Sequence, residues 1–428
     1  MRPTQSSKLE TLLPCILVLL IVSGCWSLRS TNNQDEGRSL SGQSEHPAKC
    51  LPTFPDHAGW FGGDAAYSVP LPDTKGRSSL WLFGDSFVKR RGGEPGRTYP
   101  FIHNSIGLSH CDESGNFSLE TFWQRSSESG PRAFFTPDAD ASWVRDANGE
   151  SANSAYYWPF DGFIAYDALF IGLLRVVDSE PRGPFNLPFR LAGMDLARIE
   201  NYRDQPKDWE IQLSTLSKNK NAFPGAAFVE TPSHLYAFSF FGRDDGTSPR
   251  ILSRIRRSAL GKWQKDLSSR IETWSKDSTW QAGFDPENAM ILMSDSTSEM
   301  SVHFDEERER WIAIYTDTLR KRNPAEPSFI FERNAPALTG PWSKPHAIAK
   351  IPETDPATRS ESDTLDAENL FCYAGKAHPQ FSSSEEILLT YVCSLYARED
   401  SEALLILEKL AKSPRLYRPR AIVIKTAP

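Results

Sequence analysis

Gly62-Gly63-Asp64-Ala65-Ala66-Tyr67-Ser68-Val69-Pro70-Leu71, followed by Leu80-Trp81-Leu82-Phe83-Gly84-Asp85-Ser86-Phe87, reads as a β-hairpin: two runs rich in apolar and aromatic residues with a polar turn between them. Four further hairpins follow. Residues 161–166 precede 169–177, 225–229 precede 235–241, 300–304 precede 311–316, and 378–381 precede 387–393. A Gly with an aromatic residue two positions on marks the same period, at Gly115/Phe117, Gly183/Phe185, Gly261/Trp263 and Gly340/Trp342, with the glycines 68, 78 and 79 positions apart. One more step reaches the turn-like Ser413-Pro414-Arg415-Leu416-Tyr417. A sheet motif repeated five times at a regular period predicts an all-β chain folded as a five-bladed β-propeller, with long inter-strand loops because the period exceeds that of the commonest blades. A pair of β-sandwiches is the alternative, and it leaves the spacing without a cause. Residues 260–295 fit least well: Trp263, Trp274 and Trp280 belong either to a loop at a cleft edge or to packing between blades.

Outward from the repeat, the N-terminus has a different character. Arg2 and Lys8 precede an apolar run over residues 12–24 that ends Ser23-Gly24-Cys25, the order of a secretory signal. That run is shorter than the roughly 20 residues a membrane-spanning helix needs. Small residues directly before Cys25 resemble the lipobox of bacterial lipoproteins, so residues 1–24 are expected to be removed and Cys25 lipidated. An ordinary signal peptide with an incidental cysteine is the alternative. Residues 25–49 are polar and charged, a flexible tether to a single propeller domain over 50–428. The expected location is the bacterial cell envelope, with the membrane touched only through the lipid.

The net charge is −7, and a leader holding Arg2, Lys8 and Glu10 makes the remainder one unit more acidic. No basic patch marks a nucleic-acid partner. The chain is expected to work as a monomer on a polysaccharide or oligosaccharide. Four cysteines remain beyond Cys15 and Cys25. Cys372 and Cys393 flank what reads as one hairpin and are expected to pair, leaving Cys50 with Cys111; four buried free thiols are the alternative.

In a propeller the innermost strands line the axis, so residues at equivalent strand starts converge on one end of the channel. Those residues are Asp64, Asp161, Gly225, Glu299 and Ala377-His378. Asp85 ends the second strand of the first hairpin and should lie beside Asp64. Glycosidic hydrolysis needs one protonated and one ionised carboxyl, and two neighbouring acids supply both states. Asp64 and Asp85 are the candidate catalytic pair. Asp161, Glu299, Asn104, Trp158 and His378 are candidate substrate contacts, Trp158 with Tyr157 as rings to stack on a sugar. His378 could instead ligate an ion on the axis, although no cofactor is required. Turn aspartates, a core histidine and blade-packing aromatics are the plainer readings of these same residues. The motifs of serine hydrolases, zinc peptidases and phosphate loops are absent from the sequence.

The stretch from Gly62 through Phe87 resembles the opening of a bacterial propeller family long catalogued as a domain of unknown function, which includes endo-D-arabinanases. His103-Asn104-Ser105-Ile106, Tyr157-Trp158-Pro159-Phe160-Asp161-Gly162 and Cys372 to Pro379 continue the likeness over most of the chain. It implies a five-bladed glycosidase whose catalytic aspartates fall on Asp64 and Asp85. Ser86 stands where that pattern has Thr, and residues 125–148 interrupt it. The expectation is a surface-tethered glycoside hydrolase acting on a polysaccharide, an arabinan-type glycan being one option. A lipoprotein that binds glycan without cleaving it is the alternative.

Overall fold

The computed structural model describes residues 50–55, 58–72, 77–89, 101–126, 130–144, 155–182, 187–242, 248–316, 326–358, 369–395, 405–406, 408–410 and 415–425. The expected signal, lipidation site and tether lie outside the described residues. So does the Gly183 marker.

Five antiparallel sheets follow one another along the chain. Their innermost strands are Trp60–Leu71, Ala155–Ala165, Ala222–Glu230, Ser301–Asp305 and Leu370–Ala377. Each inner strand packs against the next, and the fifth packs against the first, so the ring closes as a five-bladed propeller. Within every blade successive strands are neighbours, which short turns between antiparallel strands permit. The second strands are the apolar runs seen in sequence. Residues 79–84 of the first blade's second strand and 168–177 of the second blade's are buried on both faces, as strands sandwiched between flanking blades must be.

Aromatic side chains fill the seams. Phe160 of blade 2 stacks on Phe240 of blade 3 at 5.3 Å, and Trp81 of blade 1 stacks on Phe381 of blade 5 at 5.6 Å. Trp274 and Trp280 oppose each other at 5.1 Å across an extra hairpin at the outer edge of blade 3, so these tryptophans pack the blade rather than edge a cleft. Within the interruption of the family pattern, Phe134 and Phe135 enter the main core.

Both disulfides form as expected, Cys50–Cys111 and Cys372–Cys393. The fifth hairpin differs from expectation. Its inner strand is Leu370–Ala377, and residues 378–381 only close it, because Pro379 cannot donate to a ladder and opens a short 3-10 turn. The glycine markers at 115, 261 and 340 occupy the same turn, between the third and fourth strands of blades 1, 3 and 4.

Candidate active site

The inner strands are not regular. In blade 1 the register slips between Gly63 and Ala65 and again before Tyr67. Blade 2 slips between Pro159 and Gly162, blade 3 between Pro224 and Ala227, and blade 5 between Tyr373 and Lys376. These bulges stand at one level of the ring. Ala65, Ala66 and Ala374 hold left-handed backbone there, with φ of 64°, 56° and 59°, a conformation that costs roughly 1–3 kcal/mol per non-glycine residue. A bulge re-aims the side chain it carries. Asp64 and Asp161 are the bulged residues of blades 1 and 2, so the register expected for these two acids is the one found.

Asp64 is half-buried and anchored through a single oxygen. The phenols of Tyr373 and Tyr417 both donate to its Oδ2, each at 2.7 Å. Its Oδ1 accepts no hydrogen bond among the described residues and lies against Gly84, where an added Cβ would collide with it. Asp85 is anchored in the same way. Trp158 Nε1 donates to its Oδ1 at 2.8 Å, and His103 Nδ1 lies 3.2 Å from the same oxygen. His103 in turn stacks face to face on Tyr156 at 3.5 Å. Each carboxyl therefore keeps one oxygen without a hydrogen-bond partner among the described residues.

Burial, then the charge of Asp85, then that of Glu299 push the Asp64 carboxyl up to about 8, against the partial relief of the two phenols. At neutral pH Asp64 carries a proton. The two aspartates expected to work together thus sense each other's charge.

Behind them lies a cation that sequence reasoning missed. Lys376, 1% exposed, places its Nζ 3.5 Å from Glu299, donates to Ala374 O at 2.9 Å and sits 4.2 Å from the Tyr67 ring centre. Burial lowers its pKa, while Glu299, Asp64 and Asp161 oppose that shift. A positive charge on the axis, expected at most from a bound ion, is thus supplied by a side chain. Among the described residues no group of three or more His, Cys, Asp or Glu is disposed to hold a metal.

The remaining candidates separate. Asp161 accepts from Gly162 N at 2.8 Å and from Phe228 N of blade 3 at 2.7 Å, and burial raises its pKa to about 7. Glu299 is buried and paired with Lys376. Both acids stand at the axis but are engaged by protein, which suits charge balance better than sugar contact. Asn104 is a correction: its amide donates to Phe135 O and Tyr157 O, both at 2.9 Å, and its Oδ1 accepts from Phe135 N. It staples the returning segment and has no amide proton left for a hydroxyl. His378 is a second correction. It lies at the seam of blades 5 and 1, its nitrogens engaged by Ser68 Oγ at 2.5 Å and Thr390 Oγ1 at 2.7 Å. Burial, then the charge of Lys376, push it down to about 3, so it stays neutral and serves the core. Trp158 is at the site as a donor to Asp85, with its ring edge-on to Phe189 at 4.8 Å. Tyr157 is buried and donates to Asp195, inside blade 2. Ser86 is buried and bonded to Gly84 O and Ser105 Oγ.

The family model for a domain of unknown function, DUF5005, matches residues 53–425. The chain belongs to the DUF5005 family. No curated protein matches it. Among solved structures, this DUF5005 chain is similar to a presumed hydrolase of Bacteroides ovatus ATCC 8483, with a TM-score of 0.58 and 16% identity over 90% of this chain and 97% of that one. That likeness shows a shared fold. An exo-1,5-alpha-L-arabinanase from a bovine ruminal metagenomic library aligns with a TM-score of 0.42 and 8% identity, over 86% and 94% of the two chains. An endo-arabinase of Bacteroides thetaiotaomicron VPI-5482 aligns with a TM-score of 0.39 and 8% identity, over 90% and 98%.

Proposed function

We propose that the protein is a glycoside hydrolase in which Asp64 is the general acid and Asp85 the base or nucleophile. The observation that carries this reading is the pair itself: a carboxyl pushed up to about 8 by burial and by a second carboxyl, each with one oxygen anchored and the other unpartnered among the described residues. The protonated Asp64 delivers its proton to the glycosidic oxygen as the bond to the anomeric carbon breaks. Asp85 either attacks that carbon or takes a proton from the water that does. Trp158 and His103 hold Asp85 so that Oδ2 is the oxygen left to react, and the phenols of Tyr373 and Tyr417 leave Oδ1 of Asp64 in the same position. Lys376, with Glu299 and Asp161, balances charge behind the pair.

The substrate in this reading is a polysaccharide, and the sequence likeness to a family with endo-D-arabinanases makes a D-arabinan the first to assay. We infer too that the protein acts while tethered through a lipidated Cys25. A leash of about 25 residues reaches roughly 25–30 Å by random-coil scaling, which favours polymers that come to the membrane surface. Release of new reducing ends, lost on Asp64→Asn and on Asp85→Asn, tests the chemistry. Mass spectrometry of the N-terminal peptide tests the anchor, and an unmodified Cys25 would contradict it.

A further inference from the structure

Five rings stand in a row where blade 1 meets blade 2. Phe101 lies edge-on to His103 at 5.8 Å, His103 stacks on Tyr156 at 3.5 Å, Tyr156 tilts toward Trp158 at 5.7 Å, and Trp158 meets Phe189 at 4.8 Å. The row is centred on one acid, because His103 and Trp158 both reach Oδ1 of Asp85. Backbone and packing fix its outer end: Ile102 pairs with Ser86 in the strand that carries Asp85, and Phe101 packs on Phe87 at 5.3 Å.

Two members of the row do more than pack. Phe101 is 38% exposed, and Tyr166 is the only other Phe, Tyr or Trp so exposed among the described residues. Arg257 covers the Tyr166 ring at 4.6 Å, whereas the exposed Phe101 lies one ring away from Asp85. Tyr156 donates to no group among the described residues. Burial, then the charges of Asp85 and Asp178, hold its phenol well above the ordinary range, so the hydroxyl keeps a proton to donate. An accessible aromatic face and a hydroxyl donor beside a carboxyl match a sugar unit, which offers an apolar C–H face and hydroxyl acceptors. The charges that reach Tyr156 are both carboxylates, which repel an anionic unit.

We propose that this row is the sugar-binding wall of the active site, with Phe101 as platform and Tyr156 as donor for the units next to Asp85, and that it selects uncharged sugars over uronates. That the ligand is a sugar rests on the glycoside hydrolase reading; that it lies on Phe101 and carries no charge does not.

The test is titration calorimetry of the full chain carrying Asp64→Asn, which leaves the wall intact, with D-arabinohexaose, L-arabinohexaose, xylohexaose and a galacturonate hexamer. At least one neutral hexasaccharide should bind, and more tightly than the galacturonate. Adding Phe101→Ala should weaken that binding about tenfold, the size expected when one aromatic ring loses its contact, while Phe101→Trp should keep it. Tyr156→Phe should weaken it severalfold. Phe101 is exposed, so its variants should melt with the parent. Unchanged affinity in Phe101→Ala, a Trp variant as weak as the Ala variant, or no neutral hexasaccharide bound would overturn the wall. Unchanged affinity in Tyr156→Phe would overturn the donor, and tightest binding of the galacturonate would overturn the preference for uncharged units. Hydrolysis separates the two readings. Phe101-dependent binding in a chain whose parent cleaves nothing refutes the catalytic reading alone, and parental cleavage at unchanged KM in Phe101→Ala refutes the wall alone.

Discussion

The carboxylate of Asp64 rests against Gly84, the residue immediately before Asp85, so closely that no side chain fits between them. The backbone bearing one acid thus forms the floor under the other. Gly84→Ala should push the Asp64 carboxyl off its seat and cut kcat by tenfold or more, since small misplacements of reacting groups cost that much. Near-parental melting with lost turnover is the expected pattern; parental turnover would refute the contact.

The raised Asp64 pKa sets an alkaline limit on activity. The acid must be protonated, so kcat/KM should fall about tenfold per pH unit above about 8, the limb belonging to the interacting pair with Asp85. A pH profile on any cleaved substrate checks this. A rate that holds to pH 10 would exclude Asp64 as the acid.

The same shift appears in stability. Asp64 and Asp161, pushed up to about 8 and about 7 from 3.8, bind protons more tightly folded than unfolded. The stabilisation from that proton binding is complete below pH 3.8 and is lost as pH rises through 7 to 8. Urea denaturation should therefore show stability falling from about pH 4 to about pH 8 and levelling off above it, with a shallower fall in Asp64→Asn, whose amide oxygen can still accept from both phenols.

Lys376 is the buried cation among three axial acids. Lys376→Met should destabilise the fold by about 3–5 kcal/mol, because Glu299 would be left buried without its partner. Adding Glu299→Gln should restore part of that loss by urea denaturation. An additive double variant would show that the pair is not coupled.

Each disulfide closes a long loop, spanning 61 and 21 positions. Loop-closure entropy assigns each about 3–4 kcal/mol. Cys372→Ser/Cys393→Ser and Cys50→Ser/Cys111→Ser should each lower the melting temperature, the second pair at least as strongly; unchanged melting in either would contradict that account.

The repeat made the blades legible because every inner hairpin contrasts an apolar run with a polar turn. The bulges were hidden: Ala65, Ala66 and Ala374 hold left-handed backbone, and alanine gives no hint of it, as Gly225 would. Asp64 and Asp85 were readable because one hairpin carries both. Tyr417, 353 positions from Asp64, was not, since only ring closure brings the last blade to the first. Lys376 passed as an ordinary polar residue in a strand, although a lysine between apolar neighbours near the axis is a usable signal. His378 misled because Pro379 ends its strand, so it falls at the blade seam and not at the mouth. The Asn104 side chain looked free, but its partners are Tyr157 in the next blade's inner strand and Phe135 in a returning segment that no periodicity marks.

The most direct test of the central claim is hydrolysis. Purified protein is incubated with a panel of polysaccharides that includes D- and L-arabinans, and new reducing ends are measured beside Asp64→Asn and Asp85→Asn. The expected result is cleavage of at least one glycan by the parent, reduced at least a thousandfold in each variant while melting and glycan binding persist. Cleavage that survives either substitution, or glycan binding with no cleavage anywhere in the panel, would contradict it.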